Sequence, residues 1–455
     1  MTHAPWFLAW MFAAALAALQ FGFLTWGLWE NFRFGRARLR KAWPLEHEPR
    51  VALFAPCKGF DVGLEDNLWP LLEQEYANYT LTFVVESADD PVCGCLRRLM
   101  AKHPTVDARL LVAGIATDCG QKVHNLRAAT AKLPGDVEVL AFVDSDARPR
   151  PDWLRRLIAR LPEARIGAVT GYRWFVPTAA SAAQCLLYSI NTTVASGFGP
   201  GGHHVIWGGS WAIRRDVFDR LRLRDAWGGT LSDDLVATRV IHRAGLRVEF
   251  EPVSMVTSPV AVGWRQALEF IRRQYIIARS YAFAWWLLAL AGSTVPLVTF
   301  WGGLVLLAVG LWQGAPWTWL PAAVCPAYYA GTLVRGHQRW VLGRLYVREA
   351  SPLMQRVAWL DIWAGPLVTL ANWLAILASV FGSRLEWRGI RYRLGRGGRV
   401  LSVERRAAEV RQTGNHPQSV SATVGAHACD KELSARKAVP HSRTPAPVAV
   451  PMSPT

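Results

Sequence analysis

Acidic side chains are scarce in this 455-residue chain, where 34 Asp and Glu stand against 51 Lys and Arg for a formal net charge of +17. So basic a chain suits one of two partners, nucleic acid or the anionic face of a membrane. Cysteine is also sparse and unordered. The seven stand at 57, 93, 95, 119, 185, 325 and 429, an odd and scattered set that yields no disulfide framework. Cys93 and Cys95 make a C-x-C without a second pair at metal-site spacing, so a structural zinc site is discarded. The glycine-rich run 197–202 is interrupted by Pro200 and is no dinucleotide-binding fingerprint; it reads as a mobile loop over a site.

Long apolar runs are what the chain does have, with 51% apolar residues and 23 Trp. The run from Pro5 to Trp29 carries no charge over its whole length, more than the roughly 20 residues a membrane span needs. It lacks the basic start and the small-residue cleavage site of a signal peptide, so residues 1–32 are expected to be a transmembrane helix. Arg33, Arg36, Arg38, Arg40 and Lys41 would hold its C-terminal flank in the cytoplasm. Apolar character returns at Tyr281–Trp312, Pro316–Val334 and Val357–Phe381. The first of these would be about 48 Å long as one helix, against a hydrocarbon core of about 30 Å, and Pro296 offers a break. The Arg-rich loop 335–356 and the tail after Arg384 both prefer the cytoplasm, which three simple spans cannot satisfy. Residues 283–383 are therefore expected to form three or four membrane segments, at least one tilted, re-entrant or split. Residues 263–282 mix Arg265, Arg272, Arg273 and Arg279 with Leu, Phe, Ile and Tyr, the pattern of an interfacial amphipathic helix. A cytosolic juxtamembrane segment, 384–402, and a disordered tail, 403–455, complete the chain. Asp361 is the one acid in the last apolar run, read as snorkelling or capping, and no intramembrane charge pair points to transport. Because the basic residues flank membrane segments instead of lining one helix or sheet, no nucleic-acid partner is expected.

Residues 45–262 read as a cytosolic α/β domain, with short apolar strands such as VALFAP, LTFVVE and VLAFVD between Pro, Gly and acidic turns. Asp144-Ser145-Asp146 ends one of these strands, and the edge where strands end is where α/β folds bind ligands. In extended geometry the two carboxylates point the same way and can hold a hard divalent cation that carries a diphosphate. A D-x-D alone is equally a solvated turn. Four further segments stand in fixed order around it: Pro56–Asp61 after a strand; Glu86-Ser87-Ala88-Asp89-Asp90-Pro91 after the next; Lys122-Val123-His124-Asn125-Leu126; and, past Gly208-Gly209-Ser210, Leu231-Ser232-Asp233-Asp234-Leu235 opening a helix.

This order resembles the family 2 glycosyltransferases of GT-A fold, most closely their ceramide glucosyltransferase-like branch, over roughly residues 50–400. The resemblance implies an α/β GT-A domain with N-terminal and C-terminal transmembrane helices in a bacterial inner membrane, multi-pass, with the catalytic domain cytoplasmic. It puts nucleotide binding on Asp90, with Asp89 and Glu86 beside it, the metal on Asp144 and Asp146, and the catalytic base on Asp234. Lys122 and Asn125 match the branch's K-x-x-N-L element. Trp387-Arg388 through Leu394 is similar to its W-R-x-x-x-Y-R-L segment. The Q/R-x-x-R-W motif falls on Phe270–Tyr275, keeping Arg273 with its aromatic displaced to Tyr275, and the branch's histidine upstream of Gly-x-Ser has no counterpart, His203 and His204 lying nearer.

The implied reaction is displacement, with inversion, at the anomeric carbon of a nucleotide sugar, expected to be a UDP-sugar. Mg²⁺ or Mn²⁺ would neutralise the departing diphosphate, Lys122 and Arg273 would steady phosphate charge, and a membrane lipid acceptor would come from the bilayer. Two rivals remain. A processive polysaccharide synthase would need more membrane segments and an intact Q-x-x-R-W, and a non-catalytic scaffold would have no reason to keep Asp90, Asp144, Asp146 and Asp234 together.

Overall fold

Residues 5–41, 45, 47–347 and 351–405 are described by the computed structural model, in which the apolar runs of the central region form one seven-stranded sheet. The strands are β1 (Val51–Pro56), β2 (Tyr79–Val85), β3 (Ala108–Val112), β4 (Val139–Val143), β5 (Ile166–Thr170), β6 (Arg173–Pro177), β7 (Ser210–Arg214), β8 (Arg247–Phe250) and β9 (Val256–Val260). The large sheet runs β3-β2-β1-β4-β7-β5-β8, with β7 antiparallel to both neighbours, while β6 and β9 pair separately in parallel. Near-continuous apolar runs are what a sheet covered on both faces requires. Val51, Leu53 and Ala55 of β1 pack on one face with Leu96 and Leu99 of the helix Val92–Lys102. Ala52 and Phe54 pack on the other with Val236, Ala237 and Ile241 of the helix Asp233–Arg243. From β1 the chain goes first to β2 on one side and later to β4 on the other. That reversal opens a crevice at the carboxyl ends of β1 and β4.

A knot of hydrogen bonds behind this crevice fixes the turn after β5. The Ser210 hydroxyl accepts from Trp153 Nε1 (2.8 Å) and donates to the Ser254 carbonyl (2.9 Å). A Cβ on Gly171 would stand 1.9 Å from that same carbonyl oxygen, which is backbone and cannot swing away. Gly171→Ala should therefore cost about 1–3 kcal/mol of stability, the usual penalty of overpacking. Thermal unfolding of the purified protein measures it, and an unchanged midpoint would mean that the Ser254 backbone yields.

The C-terminal residues add an antiparallel sheet of β10 (Arg384–Trp387), β11 (Ile390–Leu394) and β12 (Val400–Arg405). In β11 burial alternates residue by residue, and Leu385, Ile390, Tyr392 and Leu394 join the core on the Asp233–Arg243 side. The expected start of the tail at 403 moves by three residues, since cross-strand pairing carries ordered structure through Arg405. Residues 406–455 lie outside the described residues.

Outside the sheet, the N-terminal helix Pro5–Arg40 is longer than residues 1–32, because Asn31 and Gly35 are buried contacts. Asn31 Nδ2 donates to the Ser196 carbonyl at 2.8 Å. Gly199 leaves room for the same side chain, so the glycine run 197–202 packs on this helix and is not a loop over the crevice; a Cβ there would be 1.7 Å from Asn31 Oδ1. The stretch expected to be an amphipathic helix is helical from Trp264 to Tyr281, burying Ala267, Ile271 and Ile276 and exposing Trp264 and Leu268. Pro296 does not break the apolar run after it: a π-helical turn at Val298–Gly302 absorbs the proline, and Phe283–Trp312 is one apolar helix.

Pro5–Arg40 and Phe283–Trp312 are the described helices long and apolar enough to cross a membrane, and they make the chain membrane-associated. Pro352–Trp363 and Gly365–Ala378 form a pair bent by 81°, the geometry of a split or re-entrant segment. The expected loop from Arg335 is instead helical, since Trp319–Tyr346 runs on through Arg335 and Arg339. The charge is accommodated by pairing. Arg339 donates bidentately to Asp361 at 3.0 Å, both side chains at least nine-tenths buried. Asp361 is thus neither snorkelling nor capping.

Candidate active site

β4 delivers Asp144, Ser145 and Asp146 to the crevice, and the Asp144 amide donates to the Gly209 carbonyl just before β7. The helix Gln121–Ala129 brings Lys122 beneath them, in ion pairs 2.7 Å from Asp144 Oδ1 and 3.4 Å from Asp233 Oδ1, and its ammonium donates to the Gly208 carbonyl at 3.1 Å. Burial opposes its charge, but Asp144, Asp233 and Asp234 outweigh that and hold its pKa above the ordinary lysine value.

Ser232 caps the helix Asp233–Arg243, its hydroxyl accepting from the Leu235 amide. Asp233 is 2% exposed, its Oδ2 has no hydrogen-bond partner among the described residues, and burial pushes its carboxyl up to about 7 against the pull of Lys122. Asp234 is half-buried and held differently. Oδ1 accepts from the Leu235 amide (2.7 Å) and the Ser232 hydroxyl (2.5 Å), and Oδ2 accepts from the Gly208 amide (2.9 Å). A carboxylate offers about four acceptor positions, so one remains, on Oδ2. A Cβ at Gly208 would lie 2.7 Å from Lys122 Nζ and 3.2 Å from Asp234 Oδ2, so any side chain there displaces these charged groups.

Asp144, Asp146, Lys122, Asn125 and Arg273 line one cavity of about 480 Å³, whose opposite wall is the amphipathic helix through Gln266, Phe270 and Arg273. Two hard-oxygen carboxylates one residue apart fit a divalent cation. Asp146 makes no hydrogen bond through its carboxylate among the described residues and lies 3.8 Å from Arg173. Burial and the charge of Asp144 push it up to about 6, a repulsion that a bound cation would relieve. Arg273 sits between Phe270 and Trp387 and donates to the Glu386 carbonyl, and burial lowers its pKa to about 10. Asp118, Cys119 and His124 also bring metal-type ligand atoms within 4.8 Å of one another. His124 Nε2 lies 3.0 Å from the Ala113 carbonyl, however, and burial pushes the Cys119 thiol up to about 12, far from the thiolate a metal takes.

Asp234 and the remaining acids picked from the sequence are not among the residues that line this cavity. Asp90 Oδ1 accepts from the Gly59 amide (2.9 Å) and the Val92 amide (3.0 Å), tying the loop after β1 to a helix start, and Asp89 is exposed. Glu86 is enclosed by Lys58 and by Arg405, whose guanidinium reaches it at 3.1 Å and Gln121 Oε1 at 2.5 Å. Burial pushes the Glu86 carboxyl up, but the hydrogen bonds from Arg405 and Lys58 prevail and leave it below its ordinary value. Asp61, Arg388 and Arg405 escaped the sequence reading as site residues. The first two meet at the cavity, with Arg388 NH2 donating to Asp61 Oδ1 at 2.5 Å and NH1 to the Lys58 carbonyl at 3.1 Å. Arg388-Gly389 between two alternating strands was the available signal, a two-residue hairpin turn.

The same chain has relatives among known proteins. The family model described as glycosyl transferase family 21 matches residues 10–400. Ceramide glucosyltransferase 1 of Caenorhabditis elegans is 30% identical over 108 residues, 23% of this chain and 22% of that protein. The ceramide glucosyltransferase of Komagataella phaffii is 36% identical over 100 residues, 21% of this chain and 19% of that one. The matches thus span only about a fifth of these relatives' length. Among solved structures, mannosyltransferase PcManGT from Pyrobaculum calidifontis, in complex with GDP-Man and Mn2+, aligns over 81% of this chain and 97% of its own at 18% identity and a TM-score of 0.43.

Proposed function

Because this chain belongs to glycosyltransferase family 21, we propose that it transfers a hexose from a UDP-sugar to a hydroxyl of a membrane lipid, with inversion, at the cytoplasmic face of the bilayer. The observation that carries this reading is the convergence of Asp144, Asp146 and Lys122 on one cavity wall opposite an amphipathic helix, with the Asp233-Asp234 pair reaching the same lysine from behind that wall and a membrane-length helix following after a break at Ala282. Asp144 and Asp146 would hold Mg²⁺ or Mn²⁺, which when bound supplies positive charge to the diphosphate. Lys122, paired with both Asp144 and Asp233, keeps the acids at their spacing. Asp234, with one acceptor position open, takes the proton of the lipid hydroxyl as that oxygen bonds to the anomeric carbon. The bond from that carbon to the diphosphate breaks, and its electron pair leaves with the nucleotide. Arg273, fixed between two rings, adds positive charge to the same wall. The amphipathic helix, with Trp264 and Leu268 exposed, is the side from which a lipid would arrive.

The test supplies radiolabelled UDP-sugars, UDP-glucose first, to membranes containing the protein, with ceramide and total lipid extracts as acceptors. Label is expected in a discrete organic-phase lipid, lost with EDTA and restored by Mn²⁺ or Mg²⁺. Asp146→Asn should raise the Mn²⁺ concentration needed for half-maximal rate at least tenfold. Label in lipid-insoluble polymer would replace this reading with a polysaccharide synthase, and no transfer from any nucleotide sugar would end the enzymatic reading.

A further inference from the structure

Arg388 occupies a position that hairpin geometry gives to other residues. The two-residue turn joining β10 to β11 puts Arg388 at φ +52° and Gly389 at φ +75°. A turn of this kind favours Asn or Gly at its first central position, since left-handed backbone costs a side-chain-bearing residue about 1–2 kcal/mol. Arg388 and Arg222 are the two non-glycine residues with positive φ among those described. Strain kept at a cavity wall points to a use for the side chain.

That side chain enters the donor cavity beside Ser145, Asp146 and Lys58. It is held by Asp61, whose second oxygen accepts from the Ser145 hydroxyl at 2.6 Å, so the anchor is tied to the middle residue of the Asp144–Asp146 tripeptide. Two of the five guanidinium N–H groups meet protein acceptors among the described residues, and 35% of the side chain stays exposed. Arg173, on the same wall, is 11% exposed and lies under three aromatic rings, and Arg273 is clamped between two. Of these three arginines, Arg388 is the one free to change partners.

We propose that Arg388 binds the diphosphate of the nucleotide donor, and that Asp61 is the placeholder carboxylate it leaves to do so. This rests on the nucleotide-sugar reading above. A planar guanidinium matches paired phosphate oxygens as it matches a carboxylate, so the exchange keeps the same fork of donors. The turn explains why an arginine 327 residues away in sequence from Asp61 can serve: it is the tip of a hairpin whose Tyr392 hydroxyl accepts from the Gln121 amide at the cavity's far side.

Calorimetric titration of the purified full-length protein with UDP, GDP and uridine in Mn²⁺, alongside thermal unfolding, tests this. Arg388→Gly suits the positive φ, so its unfolding midpoint should match or exceed wild type while diphosphate affinity falls at least tenfold and uridine affinity holds. Asp61→Asn keeps an acceptor for Ser145 but releases Arg388, and should tighten UDP or GDP binding; a purely structural clamp would loosen it. Unchanged diphosphate affinity in Arg388→Gly, or weakened affinity in Asp61→Asn, overturns the inference alone. Wild-type protein that binds neither diphosphate overturns the nucleotide-sugar reading, and the inference falls with it.

Discussion

Asp234→Asn should retain donor binding and lose a factor of roughly 10²–10⁴ in kcat, the range removed with a general base. The substitution is nearly isosteric, and Ser232 still caps the helix from its own hydroxyl. One amide oxygen replaces two carboxylate oxygens, so either the Gly208 amide or the Ser232–Leu235 pair loses an acceptor. That alone costs about 1 kcal/mol and cannot account for such a loss. Initial rates with a lipid acceptor, together with calorimetric UDP binding, separate the two contributions: kcat collapses while UDP affinity moves little. A kcat within tenfold of wild type would remove Asp234 from the role and turn attention to Asp233. Asp233 has a rival claim, because its carboxyl, pushed up to about 7, lies nearer the pH at which a base works best. The proposal rests on Asp234 because Asp233 is 2% exposed and faces Lys122, whereas its neighbour has an open acceptor position.

The second large effect concerns stability. Asp361→Ala would leave the Arg339 guanidinium buried without its carboxylate, and breaking a buried pair from one side costs about 3–5 kcal/mol. Replacing both, as Arg339→Leu with Asp361→Leu, should recover most of that loss, because neither charge is then left buried alone. Unfolding of the detergent-solubilised proteins measures both. Losses that simply add in the double variant would show that the two residues do not act as a pair. The pair joins the helix Trp319–Tyr346 to the helix Pro352–Trp363, which also contributes Met354 and Val357 to a core shared with Trp174 and Tyr188.

These two cases mark where the sequence was readable and where it was not. Asp144, Asp146 and Lys122 could be picked because local pattern places them: an apolar strand that stops, or a helix that starts, leaves its next polar residue at the sheet's carboxyl edge. Asp90 and Glu86 obey the same rule yet serve backbone amides and two basic side chains, since a strand end offers several polar positions and only the partners decide which faces the cavity. The helical stretch through Arg335 and Arg339 was read as a loop because charge in an apolar region signals an exit from lipid until a partner is known. That partner, Asp361, is 22 residues on, beyond any local window. Arg388 was hidden for a related reason, as its meaning comes from a hairpin that returns to the first strand of the fold.

One hydroxyl shows what such long-range closure entails. Tyr281 Oη accepts from the Leu231 amide at 2.7 Å and donates to the Gly398 carbonyl, while the Val400 amide reaches the Gly229 carbonyl at 2.9 Å. The loop that presents Asp233 and Asp234 is thus fastened in part by Gly398 and Val400, which follow the membrane-length helix Phe283–Trp312 in the chain. During synthesis the acid pair acquires its final support only after that helix has left the ribosome and the C-terminal sheet has folded back. Assembly of the proposed site therefore comes after the membrane-length helix in chain order, and a chain cut short before that helix would lack the contacts that fasten the acid pair.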